Sequence, residues 1–332
     1  MNGVVKYVCT SRKRGTVKRP VDGAHVITDH GIQGDAHAGH WHRQVSLLDE
    51  ADIATMRARG FDIEPGAYGE NLVVDGLDLE SLGIGTILMV NDVRLEITQI
   101  GKVCHTRCAI YYRSGDCIMP RAGLFARALS DGTVRPGDSV TVSQRVPRET
   151  LQAAVLTVSD SCASGTAEDT AGPATAALLQ ERLQARVAWT GIEPDDRDCL
   201  VNRLEDLSGR GIDLVLTVGG TGCGPRDVTP EATRAVLDKE VPGLAEAMRA
   251  ASVQLTPHAM LQRGVAGIRR SSLILNLPGS RKGATENLEA VLPALAHAVE
   301  LVRGGRTHLN DERSSKVGDL PVIPGSPGDG RR

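Results

Sequence analysis

The hydrophobic period changes once along the chain, near residues 144–152, and no single kind of sheet suits both sides of that change. Before it, the short apolar stretches VVKYVCT, HVITDHG, ENLVV, TILMV, VRLEITQI and DSVTV are broken by Gly, Asp and Asn, as in a unit of short strands. After it, LQAAVLTVSDS, RVAWTGI, GIDLVLTVGG and SSLILNLPG hardly alternate, as expected of strands covered on both faces, and helical segments separate them. A chain of 332 residues has the length for two such units, each with its own core. The expected architecture is a β-rich, largely antiparallel barrel over residues 1–145, then a three-layer α/β unit with a mainly parallel sheet over 152–305. Residues 306–332 are polar, Gly/Pro-rich and aperiodic, and read as a flexible tail.

Local signals refine this plan. Asn91 and Asp92 make a hairpin turn between TILMV and VRLEITQI, since both tolerate the positive φ of tight turns. Leu47, Leu48, Ile53 and Met56 have helical spacing within SLLDEADIATMRARG. In the second half, Pro173 suits the first turn of a helix through ATAALLQERL, and further helices are expected at residues 196–207, 230–239, 243–252 and 284–303. Aromatic residues are only 2% of the chain, so both cores must be aliphatic.

A net charge of −3 supplies no general attraction to nucleic acid or to an anionic membrane. The first residues, MNGVVKYVCTSRKRG, lack an apolar signal region, and no run of 18 apolar residues occurs, which points to the cytoplasm. Seven cysteines, an odd number, then read as reduced thiols.

Three loops of the second half leave strands at one sheet edge, where open α/β sheets bind ligands. The first is SDSCASGTAEDTAGP, with Asp160, Ser161, Ser164, Gly165, Glu168 and Asp169; the third is NLPGSRKG, with Pro278, Gly279 and Ser280. Between them lies TVGGTGCGPRDVTPEAT, with Gly219, Gly220, Thr221 and Gly222. It is neither of the common phosphate loops: Pro225 and Arg226 stand where a P-loop needs Lys and Ser/Thr, and Pro225 replaces the third glycine of the dinucleotide fingerprint. Thr229 and Pro230 suit the N-cap and first position of the next helix. EPDDRD adds Asp195 and Asp196. Bare backbone amides beside several carboxylates suit a nucleotide held with Mg²⁺, although taken singly such glycines and acids are more often turns and caps. Arg226 has two readings, a phosphate partner or a neighbour of Asp227.

SDSCASGTAEDTAGP, TVGGTGCGPRDVTPEAT and LILNLPGSRKGATENL resemble the three signature segments of MogA/MoaB-type molybdopterin-binding proteins, over roughly residues 152–305. The resemblance implies a homotrimeric α/β fold that binds molybdopterin. In catalytic members it also implies Mg²⁺-dependent transfer of AMP from ATP to the terminal phosphate of molybdopterin, independent of pyridoxal phosphate. By the same resemblance Asp227 and Asp195 are the catalytic and Mg²⁺-organising acids, with Asp196 able to exchange roles with Asp195. Asp160, Ser161, Gly219, Gly220, Thr221, Gly222, Pro278, Gly279 and Ser280 are the molybdopterin- and nucleotide-binding positions. Arg281 departs from the proline that many relatives carry after LPGS.

In the first half, His37, His40 and His42 are potential metal ligands without an evident common face. Cys104, Cys108 and Cys117 read as a zinc or iron–sulfur site, a reactive thiol, or ordinary buried cysteines. GIQGDAHAGHWHRQVSLL, GENLVVDGLDLESLGIGTILMVNDVRLEITQIGKVC and RPGDSV resemble MOSC domains over about residues 4–143. That likeness implies a β-rich domain that binds molybdenum cofactor or carries sulfur at Cys104, with Asp35, His37 and Arg43 as polar pocket residues. Together the two resemblances imply a bifunctional protein of molybdenum cofactor biosynthesis, in transient contact with other biosynthetic proteins or molybdoenzymes. The alternatives are a non-catalytic cofactor carrier and a sulfurtransferase dominated by the first domain.

Overall fold

A computed structural model of the chain describes residues 2–101 and 117–304. Cys104, Cys108 and the C-terminal tail lie outside the described residues. The first half contains β1 (Gly3–Thr10), β2 (Arg19–Val21), β3 (Ala24–Ile27), β4 (Gly31–Ile32), β5 (Val45–Asp49), β6 (Leu72–Asp75), β7 (Ile87–Val90), β8 (Val93–Ile100), β9 (Leu124–Ala128), β10 (Gly132–Val134) and β11 (Ser139–Gln144). Helices α1 (Glu50–Ala58) and α2 (Met119–Ala122) accompany them.

Strands β11, β7, β8, β9, β5, β6 and β1 pair in that order, and β11 returns to β1 at Gly3 and Val4, closing a seven-stranded barrel. Closure leaves no unpaired edge in the ring. Alternation sorts the side chains: on β8, Val93, Leu95 and Ile97 point into the barrel core with Val5, Leu47, Leu72 and Leu88. Asn91 takes φ 49° in the β7–β8 turn, as its residue type foretells. Leu47 and Leu48 do not belong to the helix expected there. They lie on β5, which pairs in parallel with β6, and of the four apolar residues only Ile53 and Met56 belong to α1, both buried. A strand-to-helix junction inside one apolar run defeated the period, because Asp49 caps the helix through the Ala51 amide (2.9 Å).

The second half contains β12 (Gln152–Val158), β13 (Arg186–Glu193), β14 (Leu214–Val218), β15 (Lys239–Glu240), β16 (Ala266–Arg269) and β17 (Ser272–Leu277). Its helices are α3 (Asp160–Ala163), α4 (Ala171–Leu183), α5 (Arg197–Gly209), α6 (Thr229–Val236), α7 (Pro242–Val253) and α8 (Arg281–Val302). The strand order is β13-β12-β14-β17-β16-β15: the first four run parallel, and β16 and β15 complete the far edge antiparallel. Successive residues of β12, β14 and β17 enter separate cores on the two faces. Val155, Leu216 and Leu275 meet α4, α7 and α8, while Leu156, Val215 and Ile274 meet α5 and α6. Two apolar faces explain the unbroken apolar runs. RVAWTGI is the exception, since β13 is an edge strand and remains partly exposed along its length. The helix expected to reach residue 239 stops at Val236, because Leu237 turns extended to feed β15.

The two halves meet beside β13, where Arg186 Nη2 donates to Glu96 Oε1 (3.2 Å) and Arg127 Nη2 to Glu96 Oε2 (3.1 Å). Beyond α8, Arg303 donates to both Asp213 oxygens (2.5–2.6 Å) and to the carbonyls of Glu149 (2.9 Å) and Thr150 (3.2 Å).

Asp35 is no open pocket residue, because its side chain is fully buried with that of Lys18. Lys18 Nζ donates to both carboxylate oxygens (2.8 and 2.9 Å), and the amides of Ser11 and His37 donate as well. Burial alone would raise the Asp35 pKa, but the close approach of His37 and the Lys18 ammonium hold it below the ordinary carboxylate value. The pair is therefore ionised, and its contribution is present above the unfolded pKa and lost as pH falls below it. Asp35→Asn, which strands a buried ammonium, should lower stability at pH 7 by about 3–5 kcal/mol in urea unfolding. The same substitution should remove part of the acid sensitivity below about pH 4.

Candidate functional site

Helix α4, which follows β12, packs on one face of the sheet, whereas α6, which follows β14, packs on the other. Adjacent parallel strands whose helices diverge create a crevice at their carboxyl ends. That crevice lies between Val158 and Val218, and the loop Gly219–Asp227 fills its rim. Gly219 has φ 113°, and a Cβ there would collide with the Val158 carbonyl oxygen. Gly220 has φ 60°, and a Cβ there would strike the Thr229 hydroxyl and stand 2.9 Å from Asp195 Oδ1. Only bare backbone turns this corner. The third loop closes in from β17, where a Cβ on Gly279 would lie 3.2 Å from Gly219 Cα.

The predicted residues of all three loops and of the segment after β13 come together. The Asp160 amide donates to Asp195 Oδ2 and the Asp195 amide returns a bond to Asp160 Oδ1, both at 3.0 Å. Burial, then the neighbouring carboxylates of Asp160 and Asp227, raise the Asp195 pKa above the ordinary value. Asp227 accepts from the Gly224 amide (2.7 Å), and a Cβ on Gly222 or Gly224 would stand 2.9 or 2.8 Å from its Oδ2. The glycine corner is thus held between Asp195 and Asp227.

Other residues take structural places. Asp196 caps α5 through the Cys199 amide (2.9 Å), whereas Asp195 lies against Gly220. Asp169 accepts from Thr157 Oγ1 (2.6 Å) and from the amides of Ala171 and Gly172, which fixes the start of α4. Ser280 caps α8 through the Gly283 amide (3.1 Å), so that the helix starts at Arg281, three residues earlier than expected, and Ser161 Oγ lies 3.0 Å from Ser159 Oγ. Pro278 packs beside Gly283. Thr229 is not the N-cap of α6: Val228 holds that place, and the Thr229 hydroxyl donates to the Gly219 carbonyl (2.9 Å).

Arg226 takes a third course, donating twice to Asp160 (2.9 and 3.0 Å). This exposed pair lowers the Asp160 pKa through the Arg226 hydrogen bond. Arg263 gave no sequence signal, being 36 residues from Asp227. Its guanidinium donates to the carbonyls of Gly222 (2.6 Å) and Asp227 (2.7 Å) and to Glu231 (2.5 Å), and its amide donates to the Thr221 carbonyl (2.9 Å).

Among the described residues no group of three or more His, Cys, Asp or Glu side chains is placed to hold a metal. His37 lies against Asp35, His40 Nδ1 is 3.4 Å from Asp29, and His42 Nε2 is 2.8 Å from Gln99. Asp195 and Asp227, each with one oxygen held by an amide, suit an ion that takes one or two carboxylates and completes its shell with water and phosphate.

Residues 154–297 match the family model described as a probable molybdopterin binding domain, and residues 34–141 match the MOSC domain model. A molybdopterin adenylyltransferase of Helicobacter pylori is 41% identical over 166 residues, 49% of this chain and 94% of that protein. The chain belongs to that family. The Escherichia coli K12 molybdopterin adenylyltransferase is 41% identical over 152 residues, 45% of this chain and 78% of the relative. Dictyostelium discoideum gephyrin is 40% identical over 157 residues, 45% of this chain and 22% of its own length. A crystal structure of the molybdopterin biosynthesis enzyme MoaB from Thermus thermophilus is 51% identical, covering 47% of this chain and 98% of that one, with a TM-score of 0.45.

Arg263→Ala should release the loop without opening a core. Faster amide hydrogen exchange across residues 221–227, with exchange in β14 unchanged, is the expected outcome.

Proposed function

We propose that the α/β unit, residues 152–305, transfers AMP from ATP to molybdopterin. The observation that carries this reading is the bare corner Gly219–Gly222 held between Asp195 and Asp227 at the sheet's switch point. A terminal phosphate oxygen of molybdopterin attacks the α-phosphorus, the bond from that phosphorus to the bridging oxygen breaks, and pyrophosphate leaves with the electron pair. Backbone at Gly219, Gly220, Thr221 and Gly222, with Asp160, Ser161, Pro278, Gly279 and Ser280 around it, receives pterin and phosphates. Close approach to amides that no side chain shields supports this assignment. Asp195 and Asp227 would hold Mg²⁺, which neutralises phosphate charge when bound. The protein's own part is to align the two phosphates, the larger source of rate in such transfers.

Arg226 stands beside these acids with its charge matched by Asp160. An entering phosphate competes for the same guanidinium fork. In this reading the barrel, residues 1–145, binds a later form of the cofactor or carries sulfur at Cys104. The protein works in the cytoplasm as a homotrimer. Among the described residues no helix is long and apolar enough to cross a membrane.

Anaerobic incubation with molybdopterin, Mg²⁺ and ATP tests the reaction. Asp227→Asn should lower adenylylated molybdopterin and pyrophosphate formation by about a hundredfold or more while sparing molybdopterin binding. Undiminished turnover would remove Asp227 from the mechanism, and binding without any product from the unaltered chain would leave a carrier. Because Asp195 acts ionised and its pKa is raised, kcat/KM should fall as pH drops, with the acid limb above the ordinary carboxylate range. Asp195→Asn should abolish that acid limb along with most activity.

A further inference from the structure

Arg263 stands outside the three signature loops, yet it touches the central one at both ends. Its amide donates to the Thr221 carbonyl (2.9 Å), its Nε to the Gly222 carbonyl (2.6 Å) and its Nη2 to the Asp227 carbonyl (2.7 Å). Glu231, in the first turn of α6, accepts from Nη1 (2.5 Å) and Nη2 (3.4 Å). We propose that Arg263 is a positioning residue for the transfer, turning the amides of Gly222, Cys223 and Val228 into the crevice as donors to a substrate phosphate. The inference rests on the reading of the crevice as a phosphate-transfer site, and adds to it a residue, its carboxylate partner and a defined set of donors.

The direction of the amides follows from peptide geometry. All described peptide bonds are trans, so each carbonyl points opposite to the N–H of the next residue. The carbonyls of Thr221, Gly222 and Asp227 face Arg263, and the N–H groups of Gly222, Cys223 and Val228 therefore face away from it. Strand order determines what lies on that side. Arg263 immediately precedes β16, and β17 and β16 flank β14 on one side, whereas β12 and the crevice lie on the other. Arg263 thus braces the loop from behind. Among the described residues none of the three amides donates to a backbone carbonyl, which leaves them to an entering anion.

The guanidinium is not itself a phosphate ligand. Its Nε and Nη2 are engaged by carbonyls and its charge is matched by Glu231, whose pKa the pairing lowers. Its contribution is orientation set before substrate arrives. A cationic donor on a carbonyl also polarises the peptide, so that the N–H behind it donates more strongly. Lysine cannot substitute, because one ammonium does not span two carbonyls and a carboxylate as a planar fork does.

The test compares the full chain with Arg263→Ala and Arg263→Lys in the adenylylation reaction, with methylguanidinium or methylammonium added. Both substitutions should lower kcat/KM for ATP or for molybdopterin by about tenfold or more, with little change in the urea unfolding midpoint. Methylguanidinium, anchored by Glu231, should restore part of the loss in Arg263→Ala, and methylammonium should not. A rise confined to the KM for ATP puts the amides on the nucleotide phosphates, and one confined to the KM for molybdopterin puts them on its terminal phosphate. Unchanged kcat/KM in Arg263→Ala, full activity in Arg263→Lys, a loss that tracks a collapsed unfolding midpoint, or a loss that methylguanidinium leaves in place or methylammonium repairs equally overturns the proposal. Calorimetric titration of inorganic pyrophosphate with Mg²⁺ separates this role from the reaction itself. If the unaltered chain makes no product but binds pyrophosphate about tenfold more tightly than Arg263→Ala, the positioning role stands and the transfer reading falls. Equal binding by the two proteins, or none, overturns the positioning role as well.

Discussion

The contact on which the candidate site depends is between two pieces of backbone: the Val158 carbonyl at the end of β12 and the Cα of Gly219 at the end of β14. Parallel pairing brings these strand ends side by side, and the divergence of α4 and α6 opens the space above them. Neither arrangement alone makes a site. Together they demand a residue without a side chain at the corner, and that demand exposes amides where an anion can meet them. The acids then sit where the backbone leaves room, Asp195 against Gly220 and Asp227 against Gly222 and Gly224.

Arg263 holds this corner from outside the three signature loops. Arg263 binds carbonyls at both ends of the Gly222–Asp227 stretch and is itself oriented by Glu231. Asp160 joins the loop after β12 to Asp195 through the backbone and to Arg226 through its side chain. Three of the four segments around the crevice are thus coupled by a single residue.

Much of this was readable in the sequence, and the failures share a cause. Continuous apolar runs announced the buried strands β12, β14 and β17, and glycine-rich loops announced their ends, because both signals are local. RVAWTGI has the same composition but lies at the sheet edge, a matter of strand order that no window of residues records. Leu47 and Leu48 fit a helix by spacing and a strand by burial, and pairing with β6 and β9 decided between them. Arg226 found Asp160, 66 residues away, rather than its neighbour Asp227. Asp195 and Asp196 were indistinguishable as letters and separated only when one became a helix cap. Reading from residues therefore named segments that the fold brings together, but could not tell which of their acids cap helices.

Arg303 has a consequence beyond local stability. By tying the end of α8 to Asp213 and to the carbonyls of Glu149 and Thr150, it brings the exit of the α/β unit back to its entrance. A unit whose two ends meet can be joined to another protein at one place, without threading through it and without exposing its sheet.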